Sequence, residues 1–264
     1  MSNITFLKGG ATLKILQGGG ALFTSSPGLM GNYTGSSEVL STQGSIKYGL
    51  SDADFESENF ASDNLTFGFG MDLGFTYQWH PNRENDSVPI YRDRYKLKVG
   101  VSVTDIGAIN YKDAEVTTYN MNATVNTGSY DGDLEEFLDD NYNNSTEKKS
   151  TKIQLPTALR VLADYKISKK FFVSAQANLS LVKKNNELAN SINNSVTIAP
   201  RLETKWFSFF TPISFREYND VAIGGGFRLG PLYVGSGSVF SNLISDSSKT
   251  ADIFAGLKIP IYRK

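Results

Sequence analysis

The sequence predicts an all-β protein, an antiparallel transmembrane-type β-barrel of about eleven or twelve long strands with a short helix in a long loop. Three observations predict it. Apolar residues recur at every second position over runs longer than soluble strands usually reach. The residues between them are small, polar or charged. Tight turns and longer connectors alternate along the chain.

The clearest run is Leu65, Phe67, Phe69, Met71, Leu73, Phe75, Tyr77 and Trp79, interleaved with Thr66, Gly68, Gly70, Asp72, Gly74, Thr76 and Gln78. Successive strand side chains point to opposite faces, so one face is wholly apolar and the other small or polar. Tyr95, Leu97, Val99, Val101 and Val103 repeat the pattern against Lys96, Lys98, Ser102 and Thr104. Leu159, Val161, Ala163 and Tyr165 alternate with Arg160, Asp164 and Lys166; "ISKK" then turns the chain into a second run from Phe171 to Leu181. Val196, Ile198, Leu202 and Trp206 stand against Thr197, Arg201, Glu203 and Lys205. The final run sets Ile253, Ala255, Leu257 and Ile259 against Asp252, Gly256 and Lys258. Strands are expected near 5–17, 32–50, 65–80, 92–106, 151–168, 170–184, 192–206, 207–216, 219–230, 231–238 and 251–262. The stretch "AEVTTYNMNATV" (114–125) would make a twelfth. Residues 1–264 read as a single domain, with 107–150 a long loop.

The stretch "AIGGGFRLGPLYVGSGSVF" (222–240) tests this reading, because its glycines approach a phosphate-cradling fingerprint. Such a loop needs a strand, a glycine turn and then a helix. Here strand patterning lies on both sides of Gly230-Pro231, so the glycines are structural: they relieve crowding on one face or permit a bend.

Length and face chemistry separate a membrane wall from a soluble sandwich. A soluble core would not carry Lys152, Arg160, Lys166, Arg201 and Lys205 on one face while presenting Leu, Val and Phe on the other. In lipid the apolar face turns outward. The lumen-facing candidates are then Asp72, Lys96, Lys98, Arg160, Asp164, Arg201, Glu203, Arg228 and Lys258. Tyr77, Trp79, Tyr91, Tyr95, Trp206, Phe207 and Phe209 fall near strand ends, where an aromatic girdle would sit. The short connectors 166–170, 204–207 and 230–231 share one end, which would be periplasmic, with the longer connectors at the other.

Composition excludes several alternatives. The net charge is −1, which gives no basic footprint for nucleic acid. There is no cysteine and one histidine, His80, so disulfides and thiolate metal sites are absent. The acidic stretch "DGDLEEFLDDNY" (131–142) lacks EF-hand spacing and reads as the loop helix, capped by Asp131 or Asp133, with Leu134, Phe137 and Leu138 as its apolar stripe. Asp72, Asp164 and Glu203 could be imagined as a catalytic set, but no nucleophile–base arrangement accompanies them. No catalytic residue, metal site or cofactor is expected. No run of 18 apolar residues exists, so no transmembrane helix is expected. The opening "MSNITFLKGG" shows no export signal. With an odd strand count, this leads to the expectation of an N-terminally incomplete barrel of a 14-strand type.

"YKLKVGVSVTDIGAINY" (95–111), "TALRVLADYKISKKFFVSAQ" (157–176) and "FRLGPLYVGSGSVFSNLISDSSKTADIFAGLKIPI" (227–261) resemble an uncharacterised outer-membrane barrel family of Bacteroidota. That family is similar to FadL-type barrels, and its members sometimes carry an OmpA-like peptidoglycan-binding domain. The resemblance implies a bacterial outer-membrane location and a non-enzymatic role: binding or transport of small hydrophobic compounds, or anchoring of envelope proteins. The lipid bilayer would be the first partner. The alternative is a soluble β-barrel or sandwich that binds a ligand or protein.

Overall fold

The computed structural model describes residues 4–51, 65–81, 95–184, 186, 188–218, 221–244 and 251–258. The chain is all-β and antiparallel. Its strands are β1 (Ile4–Gly18), β2 (Ala21–Ser25), β3 (Met30–Thr34), β4 (Val39–Gln43), β5 (Ser45–Ser51), β6 (Thr66–His80), β7 (Leu97–Asn120), β8 (Ala123–Asn126), β9 (Asn143–Gln154) and β10 (Ala158–Lys166). They continue with β11 (Phe171–Ser180), β12 (Ser195–Glu203), β13 (Phe207–Phe210), β14 (Ile213–Arg216), β15 (Ala222–Ile223), β16 (Gly225–Leu229), β17 (Leu232–Ser236) and β18 (Phe254–Leu257). Among the described residues two α-helices, α1 (Leu134–Asn141) and α2 (Val239–Ile244), and a 3-10 turn at Thr127–Ser129 complete the elements.

The main sheet runs β1-β6-β7-β10-β11-β12-β13-β16-β17-β18, ten strands across. Among the described residues its two outer strands, β1 and β18, are not paired with each other, so the sheet is open there and the expected barrel is not closed. β1 and β6 pair along their whole length, from Ile4↔His80 to Gly18↔Thr66. β7 is 24 residues long, which spans about 80 Å at 3.3 Å per residue. Its first half pairs β6 and β10, and its second half pairs β5 and β9.

The alternation is visible as exposure. Along β6 the large apolar residues Phe67, Phe69, Phe75 and Tyr77 are exposed, while Gly68 and Gly70 between them are buried. Leu13 and Ile15 on β1, Val101 on β7, Val196 and Ile198 on β12, and Phe227 on β16 are exposed in the same way.

Several expected strands are divided, each for a backbone reason. The 32–50 strand is three elements, β3, β4 and β5. Glu38 (φ 52°) and Gly44 (φ 103°) turn the chain in the left-handed region between them. The 151–168 strand breaks at Pro156, which has no N–H for a ladder, leaving β9 and β10 in line along β7. Thr211-Pro212 divides 207–216 into β13 and β14 in the same way.

The 107–150 segment expected as a long loop is mostly strand. Ala114, Val116 and Tyr119 are buried on the continuation of β7, and β9 returns beside it. The 114–125 stretch is divided between the end of β7 and β8. What the sequence read as a loop is a cap, where the packed core sits. Tyr119, Met121, Val125, Leu138 and Tyr142 form one buried cluster, with Leu40, Ile46, Tyr48, Ala123 and Phe137 against it. A second sheet, β3-β4-β8, covers it together with α1. The helix falls within the expected range. Asp133 is its N-cap, accepting from the N–H groups of Glu135 (3.0 Å) and Glu136 (3.2 Å). Leu138 and Phe137 face the core; Leu134, in the first turn, is exposed.

The glycine-rich stretch is strand, β15 and β16, followed by a turn at Gly230 (φ 57°) into β17. No helix follows the glycines directly. A side chain on Gly226 would strike the Phe210 ring at 2.3 Å, and one on Gly224 would strike the Ser236 carbonyl at 2.2 Å. These glycines let an aromatic ring and a neighbouring strand approach closely.

The connectors at 167–170, 204–206 and 230–231 are tight and share one end of the sheet. The segment 81–91, expected as a longer turn at that end, lies outside the described residues except for Pro81. At the opposite end the chain after β11 is tied to the chain after β14. Lys184 pairs with Glu217 and donates to the Tyr218 hydroxyl (2.8 Å), while Glu217 accepts from the Asn194 N–H (3.0 Å). The Glu217 carboxylate gives Lys184 a pKa above its ordinary value, and Lys184 holds the Glu217 carboxyl below its own. The tether is therefore full at neutral pH. It is lost as pH falls below Glu217's unfolded value of 4.5 through its lowered folded one, and at the alkaline end as pH rises through the raised Lys184 value. Hydrogen-exchange protection over 181–194, taken relative to the intrinsic rate at each pH, should fall between pH 5 and pH 3 in the native protein and not in Glu217→Gln; an equal fall in both would refute the tether.

Candidate functional site

The face opposite the exposed apolar residues gathers the charges into three groups and a recess. The first group is built by a bulge. Between Met71↔Ile106 and Leu73↔Val103, β7 has two residues where β6 has one, Asp72. Asp105 takes φ 59°, a conformation Asp tolerates better than most residues. The bulge brings the Asp72 and Asp105 carboxylates each to 2.7 Å from Lys14 Nζ, and the Asp105 N–H donates to Asp72 (2.8 Å). Thr157 Oγ1 donates to the Asp105 carbonyl (2.8 Å), locking β10 to the bulge.

The second group lies nearer the tight-turn end. Asp164, 6% exposed, accepts both arms of the Arg201 guanidinium (2.9 and 2.8 Å) and the Tyr95 hydroxyl. Glu203 lies 3.4 Å from Arg201 Nε, and the guanidinium stands 4.6 Å from the centroid of the buried Phe172 ring. A bidentate pair sandwiched by a ring is a rigid unit. In the third group Arg228 donates to the Ser208 hydroxyl (3.2 and 3.1 Å) and to the carbonyls of Thr204 (3.1 Å) and Gly230 (2.9 Å). It ties two tight turns together and, among the described residues, meets no carboxylate.

Between the first two groups the face is hollow. A recess of about 290 Å³ is lined by Gly74, Phe75 and Thr76 of β6, Gly100, Val101 and Ser102 of β7, Arg160, Val161 and Leu162 of β10, and Gln176 of β11. Gly74 and Gly100 leave it open where other residues would fill it.

The structure thus brings Asp164, Arg201 and Glu203 together and keeps Asp72 apart from them, so the three carboxylates make no single cluster. Lys98 follows its strand's alternation, opposite Asp164 in the register, with its ammonium 6.0 Å from the Tyr95 ring centroid. Lys96 departs from the charged face. Its ammonium lies 4.7 Å from the centroid of Tyr165, an exposed ring on the apolar face, and reaches the Ile167 carbonyl at the rim. Lys258 is exposed just beyond β18, its N–H bonded to the Pro231 carbonyl (2.7 Å). Of the girdle candidates, Tyr77, Trp206, Phe207 and Phe209 are exposed near the tight-turn end and Trp79 is half-buried. Tyr95 is a correction: it is 7% exposed and points its hydroxyl at Asp164, part of the charged group and not of a girdle. Tyr91 lies outside the described residues.

Lys14, Asp105 and Phe172 were not singled out from the sequence. Asp105 had a visible signal, the "TDIG" element, whose Gly107 also carries a positive φ of 156° beside the bulge. Lys14 had none, because its partners lie 58 and 91 residues away.

These features define a class: an antiparallel all-β protein whose long strands present large apolar side chains on one face and paired charges on the other. The chain belongs to the family of unknown function DUF5723, whose model matches residues 2–237. No curated protein and no solved structure matches it.

Proposed function

We propose that this chain forms the wall of a non-enzymatic β-barrel in a bacterial outer membrane, of the FadL-like kind. The apolar face meets lipid, the charged face lines the interior, and the cap stands outside. One observation carries the reading: on β1, β6, β12 and β16 the large apolar residues are exposed while small or charged residues alternate with them. In water that arrangement is costly, since contiguous apolar surface of this size calls for a covering. In a bilayer it is the required one. Strand length agrees: a spanning strand needs about 9–11 residues, and β1, β6, β10, β11 and β12 have 15, 15, 9, 10 and 9. The further length of β7 carries the chain out to the cap. The outer edges of β1 and β18 must be paired in such a membrane, because an open edge leaves its backbone groups unsatisfied in lipid. The interior would pass or bind small compounds, and the cap would offer the surface for envelope partners.

The test is expression behind an export signal, followed by membrane fractionation and gel migration with and without heating. Recovery in the outer membrane with heat-modifiable migration is expected. Recovery as a soluble periplasmic protein would overturn the reading.

A further inference from the structure

The cations of the charged face are not equivalent. Lys14 is held by Asp72 and Asp105, Arg201 by Asp164 and Glu203, and Arg228 by a hydroxyl and two carbonyls. Arg160 is different. Unlike Arg228 it has, among the described residues, neither a carboxylate within 4.0 Å nor a hydrogen-bond acceptor, although its charge acts on Asp72, and it lines the recess.

The register shows what surrounds it. One row across the sheet reads Lys8, Thr76, Gly100, Leu162, Gln176. The next reads Gly10, Gly74, Ser102, Arg160, Asn178. Neither row contains a carboxylate. The nearest acidic residues lie in the rows beyond on either side, Asp72 and Asp105 in one direction and Asp164 in the other, each already occupied by a cation. The two rows between them hold Lys8 and Arg160, hydroxyls and amides. A guanidinium left open beside a cavity, with neutral donors around it, is a receptor for a planar anion.

We propose that this recess is a binding site for small carboxylates. Arg160 takes the carboxylate through its fork, the hydroxyls of Thr76 and Ser102 and the amide of Gln176 supply neutral donors, and Leu162 and the glycine backbone meet the apolar body. Lys8, in register with Thr76, adds positive potential from β1. At about 290 Å³ the recess is at the small end of ligand sites, which suits a compact acid and not a long acyl chain. The proposal rests on the wall reading only for placing the recess inside a barrel; the binding chemistry stands on the recess itself.

The experiment is equilibrium dialysis of the full-length protein in detergent with benzoate and with benzamide, its neutral counterpart of the same shape. Folding is checked by heat-modifiable migration or, should the protein prove soluble, by its circular dichroism. Benzoate should bind saturably and at least about tenfold more tightly than benzamide, the worth of one charge-assisted hydrogen-bonded contact. Arg160→Gln should bring benzoate down to the benzamide level without changing benzamide binding, and Arg160→Lys should keep part of the preference. Folded wild-type protein that bound both equally, bound no benzoate, or bound benzoate unchanged after Arg160→Gln would overturn the assignment. Membrane fractionation reports separately on the wall, so either idea can fail alone.

Discussion

Phe75→Arg should prevent assembly, while Asp72→Asn, three residues away on the opposite face, should be mild. Phe75 is 63% exposed in the middle of β6, between Gly74 and Thr76, whose side chains alternate to the charged face. If that surface lies against lipid, an arginine there costs about 2–4 kcal/mol near the bilayer midplane. That is a large fraction of the stability of a typical domain. Asp72→Asn keeps an acceptor for the Asp105 N–H, and Lys14 retains Asp105. The measurement is the heat-modifiable, outer-membrane fraction of each variant. In a water-soluble sheet the order would reverse, because Phe75→Arg would replace an exposed ring by a solvated charge. Normal assembly of Phe75→Arg would therefore remove the basis for placing the apolar face in lipid.

Arg201→Met should be the most destabilising single change on the charged face. It leaves the buried Asp164 carboxylate with the Tyr95 hydroxyl alone and strands Glu203 beside it. Removing one partner of a buried pair typically costs about 3–5 kcal/mol, since the remaining charge is neither hydrated nor compensated. Glu203→Gln, at the longer and more exposed contact, should cost under about 1 kcal/mol. The double variant Asp164→Asn with Arg201→Met should recover much of the loss, because no buried charge is then unpaired. Urea midpoints of refolded protein give the comparison. An Arg201→Met midpoint no lower than that of Glu203→Gln would show that the pair is not the rigid unit its geometry describes.

The sequence by itself determined the all-β antiparallel class, the faces of the long strands, the strand nature of the glycine-rich stretch and the helix within 131–142. All are local properties. Period-two patterning assigns each residue to a face wherever the strand later pairs, and a cap such as Asp133 acts within three residues of itself. The tertiary structure decided what depends on partners distant in the chain. The cap core was hidden because Tyr119, Met121 and Val125 lie in a polar, asparagine- and threonine-rich stretch. They become a core only when Leu138 and Tyr142 of α1 and Leu40 of β4 fold over them. Strand boundaries at Pro156 and Pro212 were overrun because the apolar alternation continues past both prolines, and only the hydrogen-bond ladder shows the break. Tyr95 was read as a rim residue from its position near a strand end; its hydroxyl belongs to Asp164, 69 residues on. Which cation is left open was equally beyond the sequence. Arg160, Arg201 and Arg228 look alike in an alternating strand, and only strand register and the bulge at Asp72 decide which of them finds an acceptor and which stands beside the recess.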